Sequence, residues 1–186
     1  MTIMAAEAGV IKPWWREAIE TIVWAFILAM IIRTFIVQAF WIPSGSMIPT
    51  LEVNDRVLVA KFWNWVFEPK RGSLYVFRYP MDRERDFVKR VIAVPGDTVD
   101  IKNGIVYING IATEETYVKN HDRYTLTKSS LFPEVPVKVP EGKYFMLGDN
   151  RGNSQDSRFW GFADIDDMRG PVFFRYWPLN RIGIPF

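Results

Sequence analysis

Apolar residues are spaced in two ways along this chain. From Ile19 to Ile32 they run almost without a break, with Glu20 and Thr21 as the polar interruptions. Further on they come in short blocks divided by Pro, Gly, Asn and Asp. The first pattern predicts a bilayer-spanning helix, which needs about 20 mostly apolar residues. The run itself is shorter, so the helix is extended at both ends to residues 15–36, with Arg33 snorkelling toward the headgroups. Trp14, Trp15 and Trp41 flank it, where interfacial aromatic belts form. Lys12 and Arg16 precede it, and the positive-inside rule then puts the N-terminus in the cytoplasm, a bias that Arg33 weakens. The competing reading is a cleaved secretory signal, with Val37-Gln38-Ala39 as a small-residue cleavage site. Arg33 and the apolar stretch after it are unlike a simple signal core, which favours a retained anchor.

The second pattern predicts strands. Val57 to Ala60, Leu74 to Phe77, Phe87 to Val94, Thr98 to Lys102, Ile105 to Ile108, Val135 to Val139, Lys143 to Leu147 and Gly170 to Trp177 are β-rich blocks bounded by turn residues. Asn103-Gly104 and Asn109-Gly110, set between alternating apolar residues, are strong hairpin signals. The segment 112–133 is polar and irregular, and no soluble helix stands out. The expected architecture is mainly β: an antiparallel, barrel-like or coiled sheet domain with one N-terminal transmembrane helix. Its parts are a tail at 1–14, an anchor at 15–36 and a β domain at 37–186. The aromatic cluster 62–67 reads equally as core filler or as a membrane-facing patch.

Composition narrows the chemistry. The 186 residues carry a formal net charge of +2 and no sustained basic patch, which argues against a nucleic-acid partner. There is no cysteine, hence no disulfide, thiol nucleophile or thiolate metal site. The single histidine, His121, sits in a polar stretch and reads as structural or solvent-exposed. No spacing of His and carboxylates suits a metal, and no Gly-rich phosphate loop is present, so no cofactor is expected.

A Ser–Lys pair remains, a recognised variant of the nucleophile–base pair. Ser46 lies in Ile42-Pro43-Ser44-Gly45-Ser46-Met47-Ile48-Pro49-Thr50-Leu51, between prolines that suppress regular structure, with a glycine that permits a sharp turn. The plain alternative is a turn following an anchor. Lysine acts as a base only if its pKa falls well below 10.4, which burial accomplishes. Lys89 fits: by strand alternation it shares a face with Val91 and Ala93, while Arg90 points the other way, to solvent or a carboxylate. The plain alternative is a pair of strand-edge charges. The loop 148–158 is rich in Asn, Asp, Ser and Arg. Its Asp/Arg pairs suit a buried bidentate network, and its hydroxyls suit orienting a neutral lysine.

Together these segments resemble the bacterial type I signal peptidases, membrane-anchored serine endopeptidases with a Ser/Lys dyad. The resemblance rests on 43–51, on Lys70-Arg71-Gly72 leading into Val76-Phe77-Arg78-Tyr79-Pro80, on Val88 to Asp97, and on 148–158. It implies Ser46 as nucleophile and Lys89 as general base. It implies an oxyanion hole from the Ser44 hydroxyl and the Ser46 backbone N–H, a hydrogen bond from Ser154 to the lysine, and a structural network of Asp149, Arg151, Asp156 and Arg158. Gly152 and Ser73 depart from the family pattern, where acidic residues are usual. The implied substrates are secretory preproteins cut after small residues at −1 and −3. Phe40, Ile42, Met47, Leu51 and Val88 are the expected pocket walls. The implied location is the bacterial cytoplasmic membrane, single-pass, with the catalytic domain on the outer face. A tethered β domain that binds extended peptides without cleaving them is the alternative from another class.

Overall fold

The structure is a computed structural model, and it describes residues 13–119 and 123–185. His121 lies outside the described residues. The chain divides into two units, Met1–Ile36 and Val37–Phe186. In the first, helix α1 covers Trp14–Ile31 and a single π-helical turn carries it on through Ile36. None of its side chains is buried, and it is long and apolar enough to cross a membrane. Pro13 sits just ahead of it, where a missing N–H costs nothing.

The second unit is mainly β. Its strands are β1 (Val37–Trp41), β2 (Arg56–Ala60), β3 (Leu74–Tyr79), β4 (Asp82–Ala93), β5 (Thr98–Lys102), β6 (Ile105–Ile108), β7 (Ile111–Ala112), β8 (Val137–Lys138), β9 (Lys143–Leu147), β10 (Ala163–Asp164) and β11 (Met168–Trp177). A one-turn helix, α2 (Ser157–Trp160), is capped by the Asp156 carboxylate. Seven strands form a sheet in the order β1-β2-β11-β3-β4-β9-β10, and four form another in the order β7-β6-β5-β8. Every strand pair is antiparallel. Neither sheet closes on itself, because β1 and β10 remain edges of the larger one. The domain is therefore a pair of open sheets and not a closed barrel.

Both Asn-Gly pairs form the expected turns. Asn103 and Gly104, and Asn109 and Gly110, all take positive φ, the combination that a two-residue type I′ hairpin requires. The strand expected at 135–139 shrinks to Val137–Lys138, since Pro136 and Pro140 bracket it and neither can donate to a ladder. In the aromatic cluster, Phe62 and Trp63 are half-buried whereas Val66 and Phe67 are exposed, so the segment is not simply core filler.

Strand β4 organises the site. It lies between β3 and β9, with Lys89 opposite Tyr75, and Arg90 opposite Leu74 on one side and Leu147 on the other. Consecutive residues on a central strand face opposite sides, so Lys89 and Arg90 part as expected. Val91 packs on the Lys89 side with Tyr75, Phe77, Tyr144 and Met146. Ala93 does not join it: a bulge against β9 between Val91 and Ala93 sends Ala93 into a separate cluster with Val99, Ile101 and Phe145. The bulge's extra residue resets the alternation, which the sequence pattern alone does not reveal.

Gly170 in β11 is required by the close approach of β2. Its φ is 150°, and a Cβ there would lie 2.9 Å from the Ala60 carbonyl carbon and closer still to its oxygen. Gly170→Ala should therefore cost about 2–3 kcal/mol, enough to lower Tm by several degrees in thermal unfolding of the detergent-solubilised protein. An unchanged Tm would contradict the close packing of these strands.

Candidate active site

The turn that carries Ser46 is built from both ends. At its base Ile42 N–H donates to Asp55 O at 2.9 Å and Asn54 N–H donates to Ile42 O at 2.9 Å. Within it Leu51 N–H donates to Met47 O at 2.9 Å, closing a five-residue turn that contains the cis Ile48–Pro49 bond. That turn places Met47 and Leu51 on the inner side, where both are fully buried with Val57, Val59, Leu74 and Val76. These two apolar pegs fix the segment and leave the Ser46 hydroxyl at the surface of a cavity. The Ser46 N–H is not among the donors that tie the turn together.

The 148–158 loop clamps the turn from the other side. Asn150 N–H donates to Ser46 O at 3.1 Å, and Asn150 Nδ2 donates to Gly45 O at 2.9 Å. Gly148 makes this approach possible, since a Cβ at that position would lie 2.6 Å from Ser46 O and would strike the Ser154 side chain.

Lys89 Nζ lies 2.6 Å from Ser46 Oγ. The side chain is 3% exposed, and burial pushes its pKa down from 10.5 to about 8. Asp156 and Asp149 oppose that shift and Arg158 assists it, but desolvation dominates. Ser44 Oγ donates to Ser46 Oγ at 3.4 Å, a long contact that nevertheless puts the second hydroxyl beside the first. With lysine protonated, Nζ donates to the serine oxygen; with lysine neutral, the same contact reverses and the serine proton points at a free lone pair.

Three buried bidentate pairs surround this centre. Arg90 holds Asp149 at 2.8 and 2.6 Å, Arg151 holds Glu115 at 2.7 and 2.6 Å, and Arg158 holds Asp156 at 2.8 and 3.0 Å. Thr50 Oγ1 donates to Asp149 at 2.6 Å, tying the nucleophile turn to the loop. The Arg90 guanidinium also donates to Gly72 O at 2.6 Å and stacks 3.9 Å from the Tyr117 ring. Each carboxylate in the neighbourhood of Lys89 is thus matched by a guanidinium, which leaves the field on the amine small enough for desolvation to decide.

A cavity of about 510 Å³ opens from Ser46 and Lys89. Phe40, Ile42 and Val88 line it, as expected, together with Val76, Phe87 and Arg85. Met47 and Leu51 do not line it. An extended backbone would have put them on the wall, but the turn closed between Met47 O and Leu51 N–H carries both into the core. Ser154 is a second correction. Its Oγ is buried and makes no hydrogen bond, so the expected contact with the lysine is not formed. It packs against Gly148 instead.

Asp149, Arg151, Asp156 and Arg158 are all buried in the expected network. Sequence reasoning missed Glu115, the partner of Arg151, which comes from the irregular segment whose purpose the pattern leaves open. It also missed the clamp by Asn150. A signal for Glu115 existed in charge matching: the 148–158 loop offers two arginines and two aspartates, yet Arg90 also needs a carboxylate, which leaves Arg151 short of one. Among the described residues no group of His and carboxylates could hold a metal ion.

Residues 15–177 match the family described as Signal peptidase, peptidase S26. The chain is 42% identical over 176 residues to a probable signal peptidase I-2 of Synechocystis sp., covering 91% of this chain and 77% of that one. It is 42% identical over 175 residues to a signal peptidase I of Leptolyngbya laminosa, covering 90% and 82%. A crystal structure of a signal peptidase I from Enterococcus faecalis V583 aligns at TM-score 0.49 and 33% identity, covering 57% of this chain and 97% of that one. Since the matched span takes in the Ser46 turn, strand β4 and the 148–158 loop alike, the chain belongs to the signal peptidase, peptidase S26, family.

Proposed function

We propose that this serine endopeptidase releases signal peptides from secretory preproteins after small residues, with Ser46 as nucleophile and Lys89 as general base. The observation that carries this reading is the 2.6 Å contact between Lys89 Nζ and Ser46 Oγ, made by an amine buried enough to be partly neutral near pH 8. Neutral Lys89 takes the Ser46 proton as Oγ attacks the scissile carbonyl. The Ser44 hydroxyl and the Ser46 N–H receive the developing oxyanion. Protonated Lys89 then gives its proton to the leaving amine, and the acyl-enzyme ester remains. Water activated by the same amine hydrolyses that ester and restores the serine.

The substrate lies extended in the cavity, with alternate side chains against its wall. Phe40, Ile42 and Val88 crowd the space next to the dyad, which suits small side chains at −1 and −3. The apolar helix fits a membrane-anchored protein. Residues 1–14 are assigned to the cytoplasm, 15–36 to the anchor and 37–186 to the outer face of the bacterial cytoplasmic membrane. Lys12 and Arg16 ahead of the helix support that orientation. Ser46 follows Ile36 by ten residues of chain, so the anchor tethers the catalytic domain to the membrane.

The direct test is incubation of the detergent-solubilised protein with a preprotein bearing an Ala-x-Ala site, with the cut located by mass spectrometry. Wild type should cleave after the second alanine and Ser46→Ala should not; a cut by Ser46→Ala at that bond would overturn the assignment. In the same assay Ser44→Ala should lower kcat by on the order of 10²–10³ with little change in KM, the cost of one oxyanion donor.

Lys89 also makes a stability prediction. Holding its ammonium in the fold costs roughly 3 kcal/mol, from the fall of its pKa to about 8. Its folded pKa lies below its unfolded one, so between pH 8 and 10.5 the unfolded chain binds a proton that the folded chain does not. Stability therefore rises with pH across that window, and the penalty is fully present below pH 8. Denaturant unfolding of Lys89→Met should show a variant at least as stable as wild type at pH 7, with wild type recovering the difference by pH 10.5. A difference that does not vary with pH would show that the amine is not destabilised by burial.

A further inference from the structure

The cavity does not end at the small-residue pockets. It continues past Val88 and Phe87 to Arg85. Arg85, Phe87 and Lys89 form a row on one face of β4. Arg85 Cζ lies 5.7 Å from the Phe87 ring centroid, and Lys89 Nζ lies 5.5 Å from the same centroid. Phe87 stacks on Tyr79 at 4.3 Å, and the guanidinium is 6.0 Å from that second ring. Two aromatic rings thus support Arg85 at the cavity's far end. The cation is exposed, and among the described residues it makes no ion pair. Its acidic neighbour along the wall, Asp86, pairs with Arg169 at 3.3 Å. Glu84 does not line the cavity.

An extended peptide repeats its side chains on one face about every 6.6 Å. The Lys89–Phe87–Arg85 row has nearly that spacing. A substrate running along β4 with its −1 residue at the dyad has −3 level with positions 87–88, within the wall of Phe40, Ile42 and Val88, and −5 level with Arg85, while −2 and −4 point away. We infer that Arg85 is a specificity-determining residue for the −5 position of the preprotein, favouring an acidic side chain there and disfavouring a basic one. This rests on the signal-peptidase reading above. The physical content is simple: an uncompensated cation in a cleft attracts one sign of charge and repels the other, and salt screens both effects.

The test uses preproteins identical but for Glu, Gln or Lys at −5, and a second set with the same swaps at −4, cut by the full-length protein in detergent. For wild type at low salt, kcat/KM should fall in the order Glu, Gln, Lys, with about tenfold between the extremes. The spread should collapse toward unity at about 0.5 M salt. Arg85→Gln should flatten the series and Arg85→Glu should invert it, each series being read relative to that variant's own rate on the Gln substrate. The −4 series should vary less than twofold. An order unchanged in Arg85→Glu would overturn the inference, and an equal response at −4 would replace a −5 contact with a general surface field. Failure of every enzyme on the neutral Gln substrate would instead strike the signal-peptidase reading itself, so the two failures are distinguishable.

Discussion

Sinking a lysine amine below a protein surface costs free energy only while the amine holds its proton. That constraint shapes the whole centre of this domain. Desolvation at Lys89 must outweigh Asp149 and Asp156, both close enough to pull its pKa back up. The fold meets the requirement by giving each of those carboxylates its own guanidinium, Arg90 for Asp149 and Arg158 for Asp156. Such buried pairs add little net stability. Here they hold two negative charges close to the amine in a nearly neutral form. Removing an arginine alone would leave a bare carboxylate and raise the lysine's pKa.

The same pairs also hold the geometry. Arg90 follows Lys89 on β4 and points the other way, so the strand that presents the amine on one face grips the 148–158 loop from the other. That loop in turn clamps the Ser46 turn through Asn150, and Thr50 closes the circuit back to Asp149. Three segments far apart in sequence are thereby locked into one unit. At Gly148 the loop meets the Ser46 turn, with no space for a side chain between Ser46 O and Ser154. The cleft beside this unit stays open because Met47 and Leu51 face inward and draw the turn into the core.

Much of this was legible in the residues. The Asn-Gly turns, most of the strands and the apolar helix follow from spacing and turn chemistry alone. The meeting of Ser46 with Lys89 rests on pattern plus resemblance, since no local rule joins positions 43 residues apart. What sequence misses has local physical causes. The β4 bulge shifts Ala93 off the Lys89 face. A single five-residue turn moves Met47 and Leu51 from wall to core. Ser154 is close to the loop's glycine but makes no bond with the lysine. Glu115 comes from a segment with no periodicity to mark it, and only the charge it neutralises on Arg151 explains its burial. Arg85 reads as an ordinary strand charge until the structure shows which cavity it lines.

The protonation of Lys89 is the claim on which the rest depends, and it can be observed directly. Isotope-labelled lysine in the detergent-solubilised protein would give the Lys89 side-chain resonance, assigned by its loss in Lys89→Met, and its shift could be followed from pH 6 to 11. The account predicts a midpoint near 8, well below the value of about 10.4 for a free lysine side chain. A Lys89 midpoint at or above 10 would contradict it, because the amine would then be an ammonium under working conditions and the Ser46 proton would have nowhere to go.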